Sequence, residues 1–163
     1  MKSVVIVHGG AWKIPEDLEK PCLEGVERAA KLAMNCLLDG NSALDAVEAA
    51  VKCMEDNPTF DAGVGSVLNA EGEIELDAAI MDGKTLNAGA VAAVKNIKNP
   101  ISLARRVMEN SNHVFLVGEG ANKFAKLQGF KEFDGLVVKR ELDRWKKLRE
   151  KYSGTMKFSE END

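Results

Sequence analysis

A chain of 163 residues, 45% hydrophobic and 29% charged, has the size and balance of one globular domain, which excludes disorder, collagen and coiled coil as whole-chain readings. Its 22 basic and 26 acidic residues leave a net charge of −4, with neither sign concentrated into a nucleic-acid surface. No apolar run approaches the roughly 20 residues of a membrane helix, and the widely spaced Cys22, Cys36 and Cys53 form neither a disulfide framework nor a C-x-x-C site.

From the N-terminus, Ser3 to His8 is a β-branched run ended by Gly9-Gly10, which predicts a buried strand and then a backbone needing glycine freedom. The run is too short for a signal-peptide core and shows no cleavage pattern, so a soluble cytoplasmic domain is expected. Glu16 to Leu38 turns helical along Leu23, Val26, Ala30, Ala33 and Leu37, and Asp39-Gly40-Asn41 ends it. Ser42 followed by Asp45 reads as a capping box that opens a second helix. Leu44, Val47, Val51 and Met54 form its stripe, and Asn57-Pro58 stops it. Two such helices need a common surface to cover, and a sheet is expected to supply it.

Val64 to Asn69 and Glu73 to Ile80 flank Ala70-Glu71-Gly72, predicting a hairpin with a loop of about three residues. In its second strand Glu73, Glu75 and Asp77 alternate with Ile74, Leu76, Ala78 and Ile80, as a half-covered antiparallel strand requires. Asp82-Gly83 marks a turn, and Ala88 to Val94 reads as a third antiparallel strand, with small residues that let another layer come close. Asn99-Pro100 starts a helix to about Asn110, Val114 to Val117 is a strand, and Glu119 to Leu127 a helix. From Lys139 to Asp163 fourteen of 25 residues are charged. Lys139 to Lys151 is expected as a solvated helix held by Leu142, Trp145 and Leu148, and Tyr152 to Asp163 as a mobile tail. The chain thus divides into 1–138 and a charged segment, 139–163.

The inventory for catalysis is thin. His8 and His113 read first as structural histidines, and Glu73, Glu75 and Asp77 as a solvated or helix-facing polar row. No spacing suits zinc, and no glycine-rich loop has phosphate-binding form. The unusual stretch is Asn57-Pro58-Thr59-Phe60-Asp61-Ala62-Gly63-Val64-Gly65-Ser66. Carbonyls freed from a helix end there could converge on a hard cation, which takes oxygen ligands, although spacing alone reads it as an ordinary connection.

Taken together, several segments resemble the plant-type L-asparaginases, or isoaspartyl peptidases, of the N-terminal-nucleophile hydrolases. They include His8-Gly9-Gly10-Ala11, Ser42-Ala43-Leu44-Asp45-Ala46-Val47, Phe60-Asp61-Ala62-Gly63-Val64-Gly65-Ser66 and Glu75 to Gly83. Asn87-Ala88-Gly89-Ala90-Val91, Asn99-Pro100-Ile101, Ala104-Arg105, Val107-Met108-Glu109 and Val117-Gly118-Glu119-Gly120-Ala121 complete an ordered set from about residue 4 to 130.

The resemblance implies an α/β (α+β) chain that is half of a four-layer αββα sandwich, completed by a β chain cut from the same precursor. It places the catalytic threonine at the start of that β chain. Thr155 follows Gly154 but lacks the expected surroundings, so this chain is expected to be the α subunit, ending at or near the processing site. By the same resemblance, Gly9 and Gly10 give the threonine region room to rearrange during self-cleavage, beside His8. Met54, Glu55, Asn57, Phe60, Ala62 and Val64 hold a structural sodium ion by main-chain carbonyls, and Asp61 stands near the nucleophile where asparagine is usual. An (αβ)2 assembly acting on asparagine or β-aspartyl dipeptides follows, with no organic cofactor, nucleic acid or membrane partner. The alternatives are a glycosylasparaginase-like amidase, or a non-catalytic binding module if no β chain exists.

Overall fold

The computed structural model describes residues 3–152, and the expected tail beyond Tyr152, Thr155 included, lies outside the described residues. Along the chain run α1 (Glu16–Leu38), α2 (Ala43–Glu55), β1 (Leu76–Met81), β2 (Ala88–Val94), α3 (Pro100–Asn110), β3 (Phe115–Val117), α4 (Gly118–Leu127) and α5 (Lys139–Lys151). Among the described residues this is a mixed α/β unit with one three-stranded sheet, ordered β1-β2-β3.

The turn between α1 and α2 forms as its sequence requires. Asp45 N donates to Ser42 Oγ at 3.2 Å, and Ser42 N donates back to Asp45 Oδ2 at 3.0 Å, closing the capping box. Arg105 of α3 then bridges to Asp45 (2.7 Å), Glu48 (2.8 Å) and its own helix neighbour Glu109 (2.7 Å), fastening α3 to the start of α2. The buried stripe of α1 differs from the expected one: it runs through Cys22, Gly25, Ala29 and Ala33, while Leu23 is 69% exposed. Small residues win because α1 lies close against Ala46 and Ala50 of α2, where a leucine would hold the helices apart. Val47 likewise turns outward, and Leu44 and Val51 face the main core instead.

That core packs α3 onto the sheet. Ile101, Leu103, Ala104 and Val107 are buried against Leu76, Ile80, Val91 and Val94. The close approach expected for the small-residue strand is present at Gly89, where a Cβ would lie 2.2 Å from the Ala104 carbonyl oxygen. β1 and β2 are antiparallel as expected, and β3 pairs with β2 in parallel, because α3 crosses over between them. Asp77 has a specific duty in the polar row: its Oδ1 accepts from Ala93 N at 2.8 Å, where the β1–β2 register slips and Ala93 takes φ +51°.

Two expected strands do not form. Ser3 to His8 is extended but unpaired among the described residues; Val5 and Val7 pack on the α1–α2 layer while Ile6 is 90% exposed. A strand needs a ladder partner, and none of the described strands lies beside it. Val64 to Asn69 is irregular because its donors are taken elsewhere: Val64 N by Glu55 O (2.8 Å), Gly65 N by Leu136 O (2.9 Å) and Val67 N by Asp61 Oδ1 (2.9 Å). Only its end reverses as expected, where Asn69 N donates to Glu73 O at 2.8 Å.

Helix α5 is less solvated than its charge suggests. Glu141 is buried and paired with Arg140 at 2.6 Å, and Trp145 Nε1 donates to Asn69 O at 2.9 Å.

The capping box also sets an acid response. The Ser42 hydroxyl, then Arg105, hold the Asp45 carboxyl down from 3.8 to about 2. A carboxyl with a lowered folded value stabilises above the unfolded value and loses that contribution as pH falls toward the folded one. Urea midpoints measured in the assembled protein from pH 5 downward should therefore fall more steeply for the parent than for Asp45→Asn. Parallel curves would mean that the box does not control this response.

Candidate functional site

The site begins at the C-terminus of α2. Asp56 follows Glu55 as the helix cap, Asn57 Oδ1 accepts from Thr59 N at 3.0 Å, and the chain folds straight back on the helix end. Gly63 makes this possible: its φ is +59°, and a Cβ there would lie 2.5 Å from the Glu55 carbonyl oxygen. The returning chain is then pinned from the C-terminal side. Leu136 O accepts Gly65 N, and Arg140 Nη2 donates to Pro58 O at 2.9 Å.

Glu55 is the centre of this arrangement. Its side chain is 2% exposed, with Oε1 accepting from Ile101 N at 3.0 Å and Oε2 from Asn99 Nδ2 at 3.1 Å. Ile101 is the second residue of α3, so the carboxylate caps the N-terminus of a neighbouring helix. Burial pushes the Glu55 carboxyl up to about 7 against the pull of these donors. Sequence reading singled out Glu55 for its carbonyl alone and missed the side chain. A signal existed: an acidic residue in the last turn of a helix opposes the helix dipole and needs another reason to be there.

The structure joins the loop to the N-terminal glycine motif through Phe60. The buried Phe60 ring lies where a Cβ on Gly9 would come within 2.9 Å of it, and one on Gly25 of α1 within 2.6 Å. The other expected residues are less involved. His8 is exposed, and its Nδ1 accepts from Gly10 N at 3.1 Å, so it closes its own turn. Asp61 is exposed and braces the loop through Val67 N. Among the described residues no hydrogen bond links His8 to Asp61.

The donor chemistry of the loop suits a hard monovalent cation. Among the described residues no cluster of His, Cys, Asp and Glu could hold a metal ion. Backbone carbonyls are the available ligands. Those of Met54, Glu55 and Asn57 each accept one backbone N–H, which leaves each a second lone pair, and those of Phe60, Ala62 and Val64 accept none among the described residues. Ser66 Oγ, at the end of the same loop, is buried with no hydrogen-bond partner among the described residues.

Glu55→Ala should cost about 2–3 kcal/mol of stability, since it removes two charge-assisted bonds and orphans the Ile101 N–H. Glu55→Gln should cost less, because an amide oxygen still accepts from Ile101. Urea unfolding of the assembled protein tests this, and a loss below about 0.5 kcal/mol for the alanine variant would show that the carboxylate is not the tie.

A sequence profile of the asparaginase family matches residues 1–163. The plant-type L-asparaginase of Pyrococcus horikoshii is 53% identical over 156 residues, covering 94% of this chain and 50% of that protein. The isoaspartyl peptidase/L-asparaginases of Xenopus laevis and Homo sapiens are 53% and 51% identical, covering 90% of this chain and 48% and 49% of those proteins. The chain thus spans about half the length of the curated relatives it matches. Its motifs, its fold and this similarity agree: the chain belongs to the asparaginase family.

Proposed function

We propose that this chain is the α subunit of a self-processing amidohydrolase, which hydrolyses L-asparagine to aspartate and ammonia, β-aspartyl dipeptides, or both. The observation that carries this reading is near-complete coverage of the chain beside half coverage of relatives whose names join L-asparaginase with isoaspartyl peptidase. The β-chain threonine hydroxyl attacks the side-chain amide or isopeptide carbonyl, and its own α-amine takes the proton. Oxyanion stabilisation, departure of ammonia or an amino acid, and hydrolysis of the acyl-enzyme complete the cycle.

In this reading the α chain positions and the β chain reacts. The exposed side of the sheet supports a partner: Met81, Phe115 and Val117 stand open on it, with Phe115 55% exposed. The second sheet of the αββα sandwich would cover that face, and the extended Ser3 to His8 would gain a neighbouring strand. The assembly is (αβ)2 and cytoplasmic; among the described residues no helix is long and apolar enough to cross a membrane. Gly9 and Gly10 border the threonine region and give it room to rearrange, beside His8.

Main-chain carbonyls of Met54, Glu55, Asn57, Phe60, Ala62 and Val64 hold a sodium ion. Bound there, such an ion would take these carbonyl oxygens as ligands and would stiffen the loop. Asp61 lies close enough to the threonine for its charge to favour the protonated amine, raising the amine pKa.

Denaturing mass spectrometry with N-terminal sequencing of the native protein should reveal a second chain beginning with threonine. Its absence, with no precursor present, would leave a binding module in place of a hydrolase. The same sample as Asp61→Asn should keep its fold and shift the acidic limb of the activity profile, set by the amine, to lower pH; an unmoved profile and unchanged processing would remove Asp61 from the site.

Replacing sodium by potassium or choline should lower the melting temperature by about 2–4 °C, the equivalent of roughly 1 kcal/mol. Equal melting temperatures in all three salts would count against the cation site.

A further inference from the structure

The chain contains three Asp-Gly pairs, Asp39-Gly40, Asp82-Gly83 and Asp134-Gly135. Aspartate followed by glycine can rearrange without any enzyme. The glycine backbone nitrogen attacks the aspartate Cγ, water leaves, and a five-membered succinimide forms. Water then adds to the ring carbonyl on the Cα side. The main chain now runs through Cβ and Cγ, and the α-carboxylate is free. The product is an isomer of the starting peptide with one more atom in its backbone, and no oxidant or reductant is needed. The reaction requires an amide nitrogen that is not held, a carboxyl that can swing onto it, and a following residue with no Cβ in the way.

The structure separates the three pairs on these requirements. Asp82 is held most firmly. Its Oδ1 accepts from Lys84 N at 3.0 Å and its Oδ2 from Thr85 Oγ1 at 2.7 Å, while its own N–H and carbonyl bond to Asn87 and Leu86. Those donors also hold the carboxyl below its ordinary range, away from the protonated form from which water can leave. At Asp39-Gly40 the attacking nitrogen is occupied, since Gly40 N donates to Leu37 O at 3.1 Å in the turn that ends α1. Asp134 lies in the irregular segment between α4 and α5, is exposed, and has no hydrogen bond or ion pair among the described residues. The Gly135 N–H likewise donates to no backbone group there.

We propose that Asp134-Gly135 is a modification site, where a β-aspartyl linkage forms spontaneously and ahead of the other two pairs. The position gives the change a structural consequence. Phe133 N donates to Asn96 O at 3.0 Å on one side of the pair, and on the other Leu136 is buried with its carbonyl holding Gly65 N at 2.9 Å. An extra backbone atom between these two anchors displaces one of them. Leu136 is the anchor of the glycine-rich loop, so isomerisation loosens the candidate site from outside. This proposal stands apart from the assignment of the activity, because it needs only the folded chain.

The test is to age the assembled protein at elevated temperature in mildly acidic buffer, then map its peptides. Endoproteinase Asp-N cuts before aspartate and not before isoaspartate, and electron-transfer fragmentation distinguishes the two linkages. The expected result is loss of Asp-N cleavage at Asp134 with a new peptide of identical mass, while Asp82 stays cleavable. Asp134→Glu, which cannot close the five-membered ring, should abolish the new peptide. Hydrogen exchange at Gly65 should rise on ageing in the parent and not in that variant. Conversion at Asp39 or Asp82 before Asp134, equal conversion at all three, or none at Asp134 would each overturn the proposal.

Discussion

At the last position of α2 a carboxylate meets the negative end of its own helix, and at Glu55 it is also buried. Both circumstances disfavour the charged form. The start of α3 offsets them in part, because the Ile101 N–H and the Asn99 amide point into the carboxyl at the positive end of a second helix. The relative placement of α2 and α3 is therefore set by two opposed helix ends sharing one side chain. Since α3 is the helix that covers the sheet, the base of the loop leaving Glu55 is tied to the hydrophobic core, and exposed contacts from Arg140 and Asp61 brace it further out.

The loop transmits that placement outward. Phe60 carries it to Gly9 and Gly25, and Gly65 and Pro58 receive support from Leu136 and Arg140. An irregular segment is thus held at both its apolar and its polar groups, by residues far apart in sequence. Loops usually sit at the mobile end of a fold. This one has a buried aromatic ring and a buried carboxylate at its base, which is the condition for fixed backbone carbonyls.

Much of this was legible in the residues, and the exceptions have a common cause. Helices announced themselves through local chemistry: the Ser42–Asp45 box, Pro100 at the first position of α3 and the small residues packed beneath it all behave as their types require. Long-range partners were not legible. Nothing in Val64 to Asn69 shows that Leu136 and Glu55 will take its hydrogen bonds, so a strand-like pattern yields a loop. The stripe of α1 was read in part: Ala33 is buried as expected, but Leu23 is exposed, and Ala29 facing α2 and Gly25 facing Phe60 take the close positions instead. The Asn57–Ser66 stretch stood out by its proline and glycines, but which of its carbonyls to single out came only by resemblance, since main-chain groups leave no trace in side-chain spacing. What composition could have exposed is the misfit of Glu55 at a helix end, a local conflict that marks a tertiary partner.

The described residues of this chain are organised around positioning: a tied helix end, a braced loop and a packed glycine turn. Its two histidines are uninvolved with each other: His8 is turned onto its own glycine turn, and His113 is exposed before β3. Among the described residues, the strongly perturbed buried acid Glu55 is consumed in joining helices. Large apolar side chains are open on one side of the sheet and along the first residues. Enzymes place reactive groups where the surrounding structure over-determines their geometry, and rigid support is as much a part of a site as the nucleophile. A scaffold with a braced loop and a glycine turn packed on that loop is what a nucleophile supplied from another segment would need. In the proposed reading, that requirement is met by support from this chain and a reactive group from its partner.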